Sequence, residues 1–154
     1  MSHDELCMVA GKWLKKNGVI DYAHSLDNKR QIPLVTVKNH LMYNSEHPDV
    51  IGFSTDSHYT VVIEVKVSRA DFIADSHKSH RVNIGMGRLK YFCCPDGMIK
   101  PEELHQDWGL LYLRDGKIVL IKESPDSLFV STSSERYLLG YYLRFPDKFA
   151  KNKI

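Results

Sequence analysis

Two apolar runs organise the chain: residues 50–53 and 60–67, parted by the polar, turn-like segment 54–58. Runs of this length, rich in β-branched residues and bounded by turn formers, predict the two strands of a hairpin. Glu64 and Lys66 interrupt the second run, and positions two apart in a strand project to one face. A hairpin turning near Asp56 brings Asp49, at the head of the first strand, beside both of them.

The elements around this hairpin follow from the same kind of pattern. Ser2 and Glu5 read as a capping box, followed by Leu6, Val9, Ala10, Trp13 and Leu14 at helical spacing. Lys15, Lys16 and Gly18 supply a cationic last turn and a stop. Residues 19–22 suit a short strand, and residues 34–37 and 41–43 are expected to include the strand before Asp49. Ser68 and Asp71 form a second capping pair, opening a helix over residues 70–75. Residues 89–94 and 108–113 read as buried strands joined through a short helical piece from Pro101. Arg114-Asp115-Gly116-Lys117 is a hairpin turn leading into residues 118–121. Ser133, Ser134 and Glu135, with Tyr137, Leu138, Tyr141 and Tyr142, predict a closing helix, and residues 148–154 a basic tail. Strands mixed with crossover helices predict an α/β domain with a mixed sheet.

Composition narrows the classes. At 154 residues and 43% hydrophobic, the chain suits one domain burying roughly two-thirds of its unfolded surface. No apolar run approaches the ~20 residues of a membrane span, and the start lacks a basic-then-apolar leader, so a cytoplasmic protein without a membrane partner is expected. Cys7, Cys93 and Cys94 form neither a disulfide framework nor zinc pairs, and they fall short of the four ligands of an iron–sulfur cluster. A net charge of +2 permits nucleic-acid binding without demanding it. The basic side chains concentrate in residues 75–90, where His77, Lys78, His80, Arg81, Arg88 and Lys90 form either a phosphate-gripping surface or a solvated helix face. His77 and His80 have no third metal ligand at motif spacing.

Two carboxylates and a lysine converging at a sheet edge can hold a divalent cation next to a phosphate. The plainer reading of Asp49, Glu64 and Lys66 is an ion pair on a half-solvated sheet. Pro48-Asp49, then fourteen residues, then Glu64-Val65-Lys66 resembles the signature of the PD-(D/E)XK nuclease superfamily. A longer likeness, through residues 63–72, Asp75, Lys78 and the segments 89–95, 101–104 and 108–113, is to the MmcB-like DNA-repair proteins of bacteria. It covers about residues 49–113 of the chain.

The resemblance implies a restriction-endonuclease-like αβββαβ core, its mixed central sheet flanked by helices, to which this chain adds a C-terminal hairpin and helix. It implies one nuclease-like domain over residues 1–154 and a Mg²⁺- or Mn²⁺-dependent DNA endonuclease of repair, recombination or restriction. DNA would be the partner, with other repair proteins as further ones. On that reading Asp49 and Glu64 bind the metal with the Val65 carbonyl, and Lys66 stabilises developing charge. Glu5 would be an extra acidic ligand from the first helix, although capping accounts for it equally. Arg69, Lys78, Arg81 and Arg88 would contact the DNA backbone. A non-catalytic nucleic-acid-binding module, or a repair-complex subunit on the same fold, is the alternative.

Overall fold

The computed structural model describes residues 1–19, 21–25, 48–54, 60–76, 85–144 and 149–151. In chain order they form α1 (His3–Lys16), β1 (Asp21–Ser25), β2 (Val50–Phe53), β3 (Thr60–Val65), α2 (Arg69–Ser76), β4 (Leu89–Pro95), a 3₁₀ turn (Pro101–Glu103), β5 (Gly109–Arg114), β6 (Lys117–Lys122), α3 (Thr132–Arg144) and β7 (Phe149–Lys151). The strands expected at 34–37 and 41–43 lie outside the described residues, as do His77, Lys78, His80 and Arg81.

The seven strands of the described residues make one sheet in the order β6-β5-β4-β3-β2-β1-β7. The β1, β2 and β3 strands run antiparallel, β3, β4 and β5 run parallel, and β6 and β7 close the edges antiparallel to their neighbours. The αβββαβ order and mixed sheet expected from the sequence are therefore the order and sheet observed, with the added hairpin and helix after them. The tail is the exception: residues 149–151 pair with β1 as a strand.

Alternation along β3 decides what each face buries. Val61, Ile63 and Val65 pack with Leu6, Cys7, Ala10 and Leu14 of α1. Val62 faces the other way, into a cluster with Ile51, Met86 and Leu138 of α3. Beside that cluster, Phe72 of α2 meets Phe92, Cys94, Trp108 and Leu110. With helices on both faces, a central parallel strand has no solvated side, which is why residues 89–94 are almost continuously apolar rather than alternating.

Two glycines are required by the backbone. In the β5–β6 turn, Asp115 and Gly116 have φ of 50° and 73°, the left-handed pair of a type I′ hairpin. Gly87 has φ +86°, and a Cβ there would lie 2.8 Å from Val62 Cγ2, so the chain entering β4 can lie against β3 only without a side chain. The close approach that Gly87 permits is to Val62. Among the described residues, no helix is long and apolar enough to cross a membrane.

Candidate functional site

The register of the hairpin places the site. Val50 pairs with Ile63 and Ile51 with Val62, so one further step sets Asp49 opposite Glu64. At that step the Asp49 side chain takes over from the backbone ladder: its Oδ2 accepts the Val65 N–H at 2.8 Å. Lys66 follows the end of β3, anchored by its own N–H donating to the Cys93 carbonyl of β4 at 2.9 Å. Its ammonium Nζ lies 3.8 Å from Glu64 Oε2, 3.6 Å from Asp75 Oδ1 and 4.0 Å from Asp71 Oδ2.

The short connection after Lys66 explains the last two contacts. Ser68 Oγ accepts the Asp71 N–H at 3.2 Å, so α2 starts at once and turns back over the strand end. Asp71 and Asp75 are one helical turn apart and share a face, and that face lies over Lys66. At 1% exposure Asp75 is buried and not a surface charge. Glu64 and Lys66 are buried as well, whereas the Asp49 side chain keeps 14% of its surface. Solvent reaches the group at Asp49 and more freely at Asp71, whose side chain is half exposed.

One member of the group escaped the sequence reading. His3, in the first turn of α1, brings Nε2 to 3.4 Å from Asp49 Oδ2. Its Nδ1 lies 3.4 Å from Asp4 Oδ1 and 3.6 Å from Cys7 Sγ. The signal was in the spacing. His3 precedes Cys7, Ala10 and Leu14 by four, seven and eleven residues, the stripe of α1 that faces the sheet. Burial opposes ionisation of Asp49, but the His3 contact, the Lys66 charge and the Val65 N–H outweigh it and hold the carboxyl below the usual range. Burial likewise opposes the charged imidazole, and Asp49 and Asp4 together raise His3 above its ordinary value.

Glu5, for which the first helix offered both a metal-ligand and a capping role, is exposed. Its Oε2 accepts the Ser2 N–H at 2.6 Å while Ser2 Oγ accepts the Glu5 N–H at 3.2 Å, completing the capping box. The Ser2 N–H holds its carboxyl below the usual value. Arg69 makes a forked pair with Glu103 at 2.8 and 2.7 Å and reaches the Met98 carbonyl at 3.2 Å. Arg88 pairs with Asp126, its Nη2 at 2.6 Å from Oδ2. Lys78 and Arg81 lie outside the described residues. Cys7, Cys93 and Cys94 are buried free thiols. Burial pushes Cys94 up to about 11 and the other two higher, so none is a thiolate near neutral pH.

Among the described residues, no three or more His, Cys, Asp or Glu side chains are arranged as a metal cluster. Asp49 and Glu64 remain a pair of hard oxygen donors at adjacent positions of one hairpin. Such a pair fits Mg²⁺, which is commonly held by one or two carboxylates and otherwise keeps its water.

The fold has a solved counterpart. A protein of unknown function from Silicibacter pomeroyi matches 96% of this chain and 94% of its own with a TM-score of 0.56. The two are 18% identical, so the likeness is one of fold. No family model and no curated protein matches the chain.

Proposed function

We propose that the protein is a divalent-metal-dependent nuclease that hydrolyses phosphodiester bonds in DNA. The observation that carries this reading is the composition of the group at the end of the hairpin. Among the described residues, Asp49, Glu64, Asp71 and Asp75 gather around one ammonium and one imidazole. Carboxylates this close together at a strand end, with Glu64 and Asp75 buried, suit a bound cation, because neighbouring like charges repel in a medium of low polarity.

Asp49 and Glu64, with the carbonyl of Val65, would hold the ion. When bound, Mg²⁺ would offset phosphate charge and lower the pKa of a water molecule for attack. Lys66 is steered by Asp71 and Asp75 from α2, so its charge is in place before substrate arrives. It would meet the negative charge that develops on the phosphate. DNA would approach across Asp49 and Asp71, where the group meets solvent. The alternative is a non-catalytic module that binds DNA through Arg69, Lys78, Arg81 and Arg88, in which Arg69 and Arg88 would first have to leave their carboxylate pairs.

The test is cleavage of labelled single-stranded, duplex, branched and mismatched DNA with Mg²⁺ or Mn²⁺, alongside calorimetric titration of the protein with each ion. Cleavage that needs the ion and disappears in Glu64→Gln and Asp49→Asn is expected. A protein that takes up no divalent ion at millimolar concentration and leaves every substrate intact would refute the proposal.

A further inference from the structure

We infer that His3 is a positioning residue for Asp49, fixing the carboxylate by donating to Oδ2 so that Oδ1 is the oxygen left for a cation. Oδ2 is approached from two directions, by the Val65 N–H at 2.8 Å from the sheet and by His3 Nε2 at 3.4 Å from α1. With His3 Nε2 as a second, longer donor beside the Val65 N–H, both the rotation of the carboxylate and its distance from β3 would be fixed. A single donor would leave it free to swing about that bond.

The surroundings of the ring select the donor form of Nε2. Nδ1 faces the Asp4 carboxylate at 3.4 Å and the Cys7 sulfur at 3.6 Å. In a neutral ring, the Cys7 S–H donates to Nδ1 and the ring proton sits on Nε2. In a charged ring, Asp4 accepts from Nδ1 and Nε2 again carries a proton. The remaining tautomer would aim a nitrogen lone pair at the Asp49 carboxylate. Both favourable states therefore present N–H to Oδ2. Outer partners of this kind orient ligands, and losing one typically lowers metal affinity ~10–100-fold.

The half of the inference that concerns the cation rests on the nuclease reading above; the half that concerns Asp49 does not. The experiment separates them by using two readouts, neither of which is turnover. The first is hydrogen exchange of the Val65 amide in metal-free protein, which reports whether Asp49 Oδ2 stays in place. The second is Mn²⁺ affinity by calorimetry without DNA. In His3→Ala the Val65 amide is expected to exchange faster than in the wild type, and Mn²⁺ affinity to fall ~10–100-fold. His3→Gln, whose amide N–H can occupy the Nε2 position, should recover most of both. A merely structural role for the ring would leave His3→Gln as impaired as His3→Ala, and that result would overturn the inference, as would unchanged Val65 exchange in His3→Ala. If wild-type protein binds no Mn²⁺ while Val65 responds as expected, positioning by His3 stands and the metal reading fails.

Discussion

Charges meet in two quite different ways in this molecule. On its surface, Arg69, Arg88 and Arg114 each fork onto one carboxylate: Glu103, Asp126 and Asp96. At the end of the hairpin, one buried ammonium, Lys66, faces Glu64, Asp71 and Asp75 at 3.6 to 4.0 Å, with no single partner close enough to claim it. The surface pairs are balanced one to one, tightly made and bathed in water that screens them. The contacts at the hairpin end are looser, and Glu64, Lys66 and Asp75 are shielded from water. A balanced pair has nothing left to recruit. Several carboxylates sharing one ammonium at such distances suit a further cation, or a phosphate brought by it.

Removing Lys66 breaks this contrast hardest. Lys66→Ala leaves Glu64 and Asp75 facing each other without the ammonium, and stranding buried charge costs roughly 3–5 kcal/mol. A large fall in the unfolding midpoint of metal-free protein is expected, with part of it restored by Mg²⁺, since the ion replaces the missing charge. On the nuclease proposal, turnover should also drop ~10²–10³ with metal saturating, because the charge proposed to meet the phosphate would be gone. An unaltered midpoint and rate would put Lys66 on the same footing as the surface arginines.

A smaller effect is expected from Arg69→Ala. The pair is exposed, and solvent screening together with side-chain entropy leaves little net stabilisation, so the midpoint should shift by only ~1–3 °C. The pH dependence carries a sign. Arg69 holds the Glu103 carboxyl down at about 2. A depressed carboxylate contributes stability above its unfolded value and loses it as pH falls through the folded one. The difference between wild type and Arg69→Ala should therefore be full at neutral pH and fade as pH falls from roughly 4.3 toward 2. A difference that grew on acidification would contradict the pairing.

Glu5→Gln should do least. Gln keeps a side-chain oxygen to accept the Ser2 N–H, so the capping box survives and stability should change little. Because Glu5 is exposed and turned to the helix start, DNA cleavage at limiting Mg²⁺ should match the wild type. A marked loss of metal affinity would return Glu5 to the ion.

How much of this was legible depended on whether the signal was local. The hairpin could be read because its apolar runs are separate and its register is short range, and register alone sets Asp49 opposite Glu64. The type I′ turn could be read from Asp115-Gly116, since few residue pairs accept two positive φ angles. The surface pairs could not: Arg69 and Arg88 find partners 34 and 38 residues away, at a distance no spacing rule reaches. Reading them as free phosphate contacts was the natural consequence of seeing only their neighbours in the chain. The β7 strand is three residues long and exists through its pairing with β1, so no periodicity announces it. His3 was legible in principle, on the stripe with Cys7, Ala10 and Leu14, but the apolar pattern taken from Leu6 onward passed it by.

Glu135 carries a consequence for how the molecule is assembled in time. From the first turn of α3 its Oε1 accepts the Gly87 N–H at 2.8 Å and the hydroxyl of Thr60, closing spans of 48 and 75 residues on one carboxylate. Closing such spans costs chain entropy before the contact returns anything. The hairpin needs only a short closure, so it can form while α3 is still undocked. Contacts made that late act mainly on the rate of unfolding. Glu135 is in that sense expected to act as a latch, bearing more on how long the finished sheet stays closed than on how quickly it forms.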